Sequence, residues 1–182
     1  MTYEIDLAGL KRQLPICKVT DNLYIGAFVM FGDVELTEHC AKELLARAPE
    51  FDYIIAPEAK AIPLAYEMSR QSGKKYFITR KHAKAYMTDI FKVDVRSITT
   101  DAEQTLIIDS VDAEEMHGKR MLLVDDVIST GESIHAVEKL VEEAGGIVAA
   151  KATPLAEGDS YHRKDIIALG QLPLFNADGS VK

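Results

Sequence analysis

The sequence predicts an α/β protein, with a doubly wound, mainly parallel sheet and helices on both faces. Three observations carry that prediction. Short apolar runs of strand length recur at Tyr53-Ile54-Ile55-Ala56, Lys75 to Thr79, Arg120 to Val124 and Ile147 to Thr153. Amphipathic stretches of helical length, about Ile62 to Gln71 and Ser133 to Ala144, lie between members of that series. The charged and turn-forming residues cluster just after the strands, where open α/β sheets place their ligands. At 182 residues the chain is read as one domain, residues 1–182, with an N-terminal segment over 1–34 and a core over 35–182.

The elements follow in order. Tyr3 to Leu14 is expected to form a short helix stopped by Pro15. Ile16 to Tyr24 and Ile25 to Phe31 read as extended or loop-like, with turns at Gly26, Gly32 and Asp33. From Leu36 to Ala48 an apolar face of Cys40, Ala41, Leu44, Leu45 and Ala48 indicates a helix, with Thr37 as its cap. Pro63 sits in the first turn of the next helix, where a missing N–H costs nothing, and Gly73 ends it. Ile90 to Ile98 alternates polar and apolar residues, and Thr105 to Ile108 is again β-like. With the polar Thr99 to Gln104 between them, they read as a hairpin protruding from the sheet. Asp112 to Met116 leads to a turn at Gly118, Gly145-Gly146 caps the last helix, and Leu174 to Gly179 holds a turn that could close one side of a site.

Composition sets bounds. Apolar content of 47% and charged content of 27% are those of an ordinary globular protein. A net charge of −8 argues against nucleic acid or a membrane surface as partner. Cys17 and Cys40 have neither metal-ligand nor CxxC spacing and read as reduced thiols. Without an apolar run of membrane-spanning length or a secretory pattern, the expected location is the cytoplasm. An acidic chain that takes an anionic ligand must concentrate its cations locally. Arg80-Lys81-His82-Ala83-Lys84, delivered by a strand, is such a cluster.

The stretch Arg120 to Ser133 carries the sharpest chemistry. A buried strand is followed by Asp125 and Asp126, then by a Ser129-Thr130-Gly131 turn feeding a helix. Backbone N–H groups, the hydroxyls of Ser129, Thr130 and Ser133, and the helix dipole converge on one anion position. Gly131 allows a close approach or a positive φ. Two acids beside such a cradle would only repel a phosphate, unless the ligand also brings hydroxyls or a divalent metal. A sugar phosphate meets that condition. An ordinary strand–helix turn with surface acids explains neither the acid pair nor the Ser-Thr-Gly order.

This order of an apolar run, two acids, two apolar residues and a Ser/Thr/Gly loop resembles the phosphoribosyl diphosphate (PRPP) signature of the type I phosphoribosyltransferases. The resemblance implies that Asp125 and Asp126 hold the ribose hydroxyls and that Ser129, Thr130, Gly131, Glu132 and Ser133 bind the 5′-phosphate. It implies Mg²⁺ as cofactor, reaching Asp125 and Asp126 mainly through PRPP. Ala56-Pro57-Glu58-Ala59-Lys60 resembles the diphosphate loop, with Ala59 and Lys60 as ligands and Glu58 acting indirectly. Arg80-Lys81 resembles the basic pair of adenine-type members, and Lys84 joins Asp125 and Asp126 as a catalytic candidate. The hairpin from Tyr86 to Gln104 matches the family's flexible loop, and Leu14 to Asn22 resembles a small N-terminal hood. That assigns Asp21, Asn22 and Val127 to the base.

Two departures refine the subclass. The tyrosine-glutamate-rich run of adenine-specific loops is missing, with Tyr86 and Asp89 or Glu103 as rough substitutes. Ser129 stands where hypoxanthine/guanine-type members carry an acid, which disfavours that subclass. The implied function is therefore a purine phosphoribosyltransferase with PRPP and a purine base as partners, adenine ahead of xanthine, assembled as a homodimer. A PRPP-sensing regulator without turnover is the competing reading.

Overall fold

A computed structural model describes residues 1–87, 89–96 and 103–182. The tip of the expected hairpin, residues 97–102, and the side chains of Arg96, Glu103 and Gln104 lie outside the described residues.

The N-terminal segment is not helical. Strand β1 (Thr2–Leu7) pairs antiparallel with β2 (Leu10–Thr20), which pairs with β3 (Leu23–Gly26). Ala8 and Gly9 both take positive φ, 54° and 95°, the geometry of a two-residue hairpin turn whose twist matches its strands. Ile5 and Leu7 alternate inward with Tyr3 in β1, and this period of two prevails over the helix expected for Tyr3 to Leu14.

Helix α1 (Val34–Arg47) follows. Its cap is Asp33, whose carboxylate accepts the Leu36 N–H at 3.1 Å. Thr37, expected in that role, lies inside the first turn and donates its hydroxyl to the Asp33 carbonyl. Arg12 clamps the same carboxylate at 2.7 and 3.0 Å, tying the N-terminal sheet to the helix start.

The core alternates strands and helices: β4 (Tyr53–Pro57), α2 (Ile62–Ser72) and β5 (Tyr76–Thr79). A two-stranded hairpin of β6 (Ile90–Arg96) and β7 (Glu103–Asp109) follows, then α3 (Ser110–Met116), which the sequence pattern leaves unmarked. Next come β8 (Arg120–Val124), the short β9 (Val127–Ile128), α4 (Glu132–Glu143) and β10 (Ile147–Glu157). A 3-10 turn (Gly158–His162) leads to β11 (Ile166–Leu172) and β12 (Leu174–Phe175).

The parallel sheet has the order β11-β10-β8-β4-β5, with β9 on β10. Its strands alternate between two cores. Ile54, Leu122 and Val124 pack with Leu36, Leu44, Leu64 and Met68 of α1 and α2 on one face. Ile55, Met121 and Leu123 pack with Ile134, Val137 and Leu140 of α4 on the other. Both faces are apolar because both are covered by helix, as a parallel sheet requires. The expected fold class holds.

The tail does not close a site over the parallel sheet. Leu174 and Phe175 pair with Ile25 and Tyr24, making β12 the fourth strand of the N-terminal sheet, with order β1-β2-β3-β12. Phe175 is fully buried and meets the Tyr3 ring edge-on at 5.1 Å.

Candidate active site

The site forms where the strand order reverses. The chain leaves β4 for α2 and β5 on one side, while β8, β10 and β11 build outward on the other. Ile54 lies opposite Leu122 and Ile55 opposite Leu123, so the loops after β4 and β8 leave the sheet as neighbours. Such a switch point opens a crevice at the carboxyl ends of the strands. A cavity of about 840 Å³ occupies it.

The β8 side delivers the acids. Met121 to Val124 are fully buried, so the strand ends with Asp125 and Asp126 still inside, at 7% and 2% exposure. Asp125 Oδ1 accepts the Asp126 N–H at 2.9 Å. Lys60 Nζ reaches across from the β4 loop to Asp126 Oδ2 at 2.8 Å. Burial, and then the Asp126 charge beside it, push the Asp125 carboxyl up to about 7 against the pull of Lys60. Val127 and Ile128 then pair with Leu155 and Ala156 of β10, which fixes the direction of the following turn. Gly131 takes φ +85° at the start of α4, a left-handed conformation that side chains resist. Buried Ile134, Ala136, Val137, Leu140 and Val141 anchor the helix, so its N-terminus is held fixed at the cavity rim.

The opposite rim is cationic. Glu58, linked to Ala59 by a cis peptide, accepts the Lys81 N–H at 3.0 Å through Oε1 and Arg80 Nη1 at 3.0 Å through Oε2. The Lys81 N–H and then the Arg80 guanidinium hold this carboxyl below the usual range. Glu58 thus ties the β4 loop to the β5 loop. Arg80 also exchanges backbone hydrogen bonds of 2.8 and 2.7 Å with Ile107, fastening β7 to the same point.

Of the residues singled out in the sequence, Ala59, Lys60, Lys81, Asp125, Asp126, Val127 and Ser133 line the cavity. Ser129 to Glu132 form the turn between β9 and that Ser133. Arg80 turns aside to Glu58 and lies 5.9 Å from the Tyr86 ring centroid. Lys84 is not among the lining residues, and its N–H contacts Met87 Sδ. Asp21 and Asn22 sit in the exposed turn between β2 and β3, with Asp21 bonded to Lys18 at 2.7 Å, and are not brought to the cavity. Glu58 and His82, from the β4 loop and the basic cluster, line it too, and the cavity also takes in Thr79, Lys92 and Thr105, which sequence reasoning did not place there. For Lys92 a signal existed, since it lies on the polar side of the alternation in β6.

No group of three or more His, Cys, Asp or Glu side chains able to hold a metal occurs among the described residues. Mg²⁺ demands six oxygens, so Asp125 and Asp126 could supply only part of its shell. That donor set fits a metal arriving on a diphosphate and completed by ligand and water oxygens.

A family model described as "Phosphoribosyl transferase domain" matches residues 35–173. The chain belongs to the phosphoribosyltransferase family. An adenine phosphoribosyltransferase of Thermosipho africanus is 28% identical over 165 residues, covering 90% of this chain and 94% of that protein. Another, from Thermoanaerobacter sp., is 34% identical over 116 residues, 58% of this chain and 60% of the relative. Among solved structures, the adenine phosphoribosyltransferase of Thermoanaerobacter pseudethanolicus superposes with a TM-score of 0.66 at 24% identity, covering 94% of this chain and 95% of that one. The Saccharomyces cerevisiae enzyme gives 0.63 at 17% identity, covering 92% and 93%. These likenesses place the phosphoribosyltransferase fold over nearly the whole chain, beyond the segment the family model matches.

Proposed function

We propose that this phosphoribosyltransferase transfers 5-phosphoribose from PRPP to adenine, giving a nucleoside monophosphate and diphosphate in purine salvage. The observation that carries the proposal is one cavity with a buried acid pair and an anion turn on one rim, cations on the other, and Lys60 spanning them. PRPP has that polarity: hydroxyls beside a 5′-phosphate at one end and a diphosphate at the other. Adenine is preferred because the relatives bear that activity in their names, and Ser129 supplies no acid of the kind hypoxanthine/guanine-type members carry.

In this reading Asp125 and Asp126 accept the ribose hydroxyls, and Ser129 to Ser133 seat the 5′-phosphate at the start of α4. Ala59, Lys60 and Lys81 receive the diphosphate, with Glu58 holding Lys81 in place. The base enters against Val127. Its ring nitrogen bonds to carbon 1 of the ribose, the bond from that carbon to the diphosphate oxygen breaks, and the nitrogen loses its proton. Charge grows on the departing diphosphate, so fixed cations facing it lower the barrier. Bound Mg²⁺ would add further neutralisation of the diphosphate. Lys92 and Thr105 bring the β6–β7 hairpin to the cavity wall, where it shields the reacting carbon from water. A cytoplasmic homodimer is part of the same proposal.

The deciding experiment measures diphosphate release from PRPP with Mg²⁺ and adenine, xanthine, hypoxanthine, guanine, uracil or orotate. Rapid release with adenine is the expected result. Release with xanthine alone would move the specificity. If no base turned over while PRPP still raised Tm, the protein would be a PRPP-sensing regulator and the catalytic proposal would fall.

A further inference from the structure

The turn before α4 is gripped by the segment that follows β10. Ser160, in the 3-10 turn, donates its hydroxyl to the Ser129 carbonyl oxygen. Three residues on, the Arg163 guanidinium lies directly against Gly131. A Cβ added to Gly131 would stand 2.5 Å from Arg163 Nη1 and 3.6 Å from Cζ. Glycine suits the positive φ of this turn, and its missing side chain lets the guanidinium lie against the backbone.

Arg163 is itself held. Asp165 accepts from Nε at 3.0 Å and from Nη2 at 2.7 Å, which leaves the Nη1 edge facing the turn. Asp165 also accepts from Lys151 Nζ at 3.1 Å. The Lys151 side chain is only 9% exposed and reaches Glu138 of α4 at 2.8 Å. Glu138 in turn contacts His135 Nδ1 at 3.2 Å, one turn into the same helix. The line of alternating charges thus starts at the turn and ends on the helix that the turn begins. Arg163 keeps the Asp165 carboxyl far below its ordinary range, so the brace remains charged at neutral pH. A cation fixed beside a turn that receives a dianion favours the loaded turn, and a planar guanidinium gripped along its Nε–Nη2 edge by Asp165 keeps its place with little reorganisation.

We infer that Arg163, oriented by Asp165, is a positioning residue for the anion turn and sets the enzyme's affinity for the 5′-phosphate end of PRPP. The inference rests on the PRPP reading of the site. It predicts a split between the two ends of the cavity. Arg163→Ala should raise KM for PRPP about tenfold with kcat and KM for the base within twofold. Ribose 5-phosphate should bind about tenfold more weakly, and inorganic diphosphate as before. Arg163→Lys should not restore the wild-type values, because an ammonium cannot span both Asp165 oxygens and still face Gly131.

The test is titration calorimetry of ribose 5-phosphate and diphosphate against wild type, Arg163→Ala, Arg163→Lys and Asp165→Asn, with steady-state KM for PRPP alongside. Asp165→Asn keeps the shape of the side chain and covers the case in which Arg163→Ala fails to fold. Selective loss of ribose 5-phosphate binding in the variants supports the inference. Unchanged affinity, or equal loss for both ligands, overturns it. Wild-type protein that bound neither ligand would overturn the PRPP reading, and this inference with it.

Discussion

On the β8 side of the cavity the acids are buried, whereas on the β5 side Lys81 stands in water and the half-buried Glu58 and Arg80 hold each other. Asp125 and Asp126 end a strand with no exposed residue before them, and their desolvation shows in the raised Asp125 carboxyl. Lys81 and His82 are exposed, and Glu58 orders the loop by accepting from both Arg80 and Lys81. Water already solvates the Lys81 side chain, so its loss should leave the fold intact. The acids are different. Both are buried, burial makes ionisation of Asp125 costly, and the free energy of hydrophobic burial elsewhere in the sheet sustains the pair.

The contrast can be broken most directly at Asp126. Asp126→Asn should lower kcat/KM for PRPP by about 10² to 10³-fold, the usual scale for removing one preorganised charged contact. Tm should change little or rise, since the half-exposed Lys60 can turn to solvent. Loss of activity together with collapse of Tm would mean that the acid pair is part of the scaffold.

The next effect concerns pH. The folded-state value of Asp125, about 7, lies above the roughly 3.9 of an unfolded aspartate. Between those values the folded protein binds the extra proton. Stability from this group is therefore fully present below about pH 4, declines as pH rises, and levels off above about 7. Ligand binding runs the opposite way, because a carboxylate accepts ribose hydroxyls better than a carboxylic acid does. PRPP affinity should increase between pH 6 and 8 in wild type, and Asp125→Asn should lose the component centred near 7. A calorimetric pH series on both proteins reads the difference.

A smaller effect is expected on the exposed rim. Glu58→Gln weakens two hydrogen bonds to Arg80 and Lys81, so KM for PRPP should rise about fivefold, equivalent to about 1 kcal/mol, with Tm unchanged. The smallest concerns Thr79, the last residue of β5, whose buried hydroxyl has no hydrogen-bond partner among the described residues. Thr79→Val keeps the shape and removes the orphan, so stability in urea should increase by up to about 1 kcal/mol. A decrease would show that the hydroxyl has a partner such as bound water.

Legibility followed the same divide between locally and distantly determined structure. β4, β8 and α4 were readable because their apolar period and their flanking acids, glycines and prolines are local, and their loops carry the ligand chemistry. The N-terminal sheet was not, because Leu10 to Leu14 satisfies helical spacing as well as strand alternation. Pairing of Leu10 to Leu14 with Leu7 to Tyr3 of β1 selects the strand, and β3 and the distant β12 extend that sheet. Asp21 and Asn22 resembled base ligands by order in the chain, but a hairpin turn carries them outward. Thr79 and Lys92 were missed because neither stands in a motif. β11 was hidden by its Gly170, whose missing side chain lets β1 of the N-terminal sheet come close: a Cβ there would stand 3.2 Å from the Asp6 carbonyl oxygen.

The placement of β12 has a consequence for how the polypeptide can be cut and rejoined. Residue 1 meets the turn after β12: a Cβ on Gly179 would come 2.7 Å from Met1 Sδ, and the Lys182 N–H bonds the Leu174 carbonyl at 2.8 Å. The backbone is thus close to a closed ring whose opening could be moved. Joining the ends through a short glycine-rich connector and opening the ring at the exposed Ala8-Gly9 turn would place β1 at the carboxyl terminus, still beside β2. A permutant of that design should fold and keep its cavity, because every strand pairing survives the change of origin.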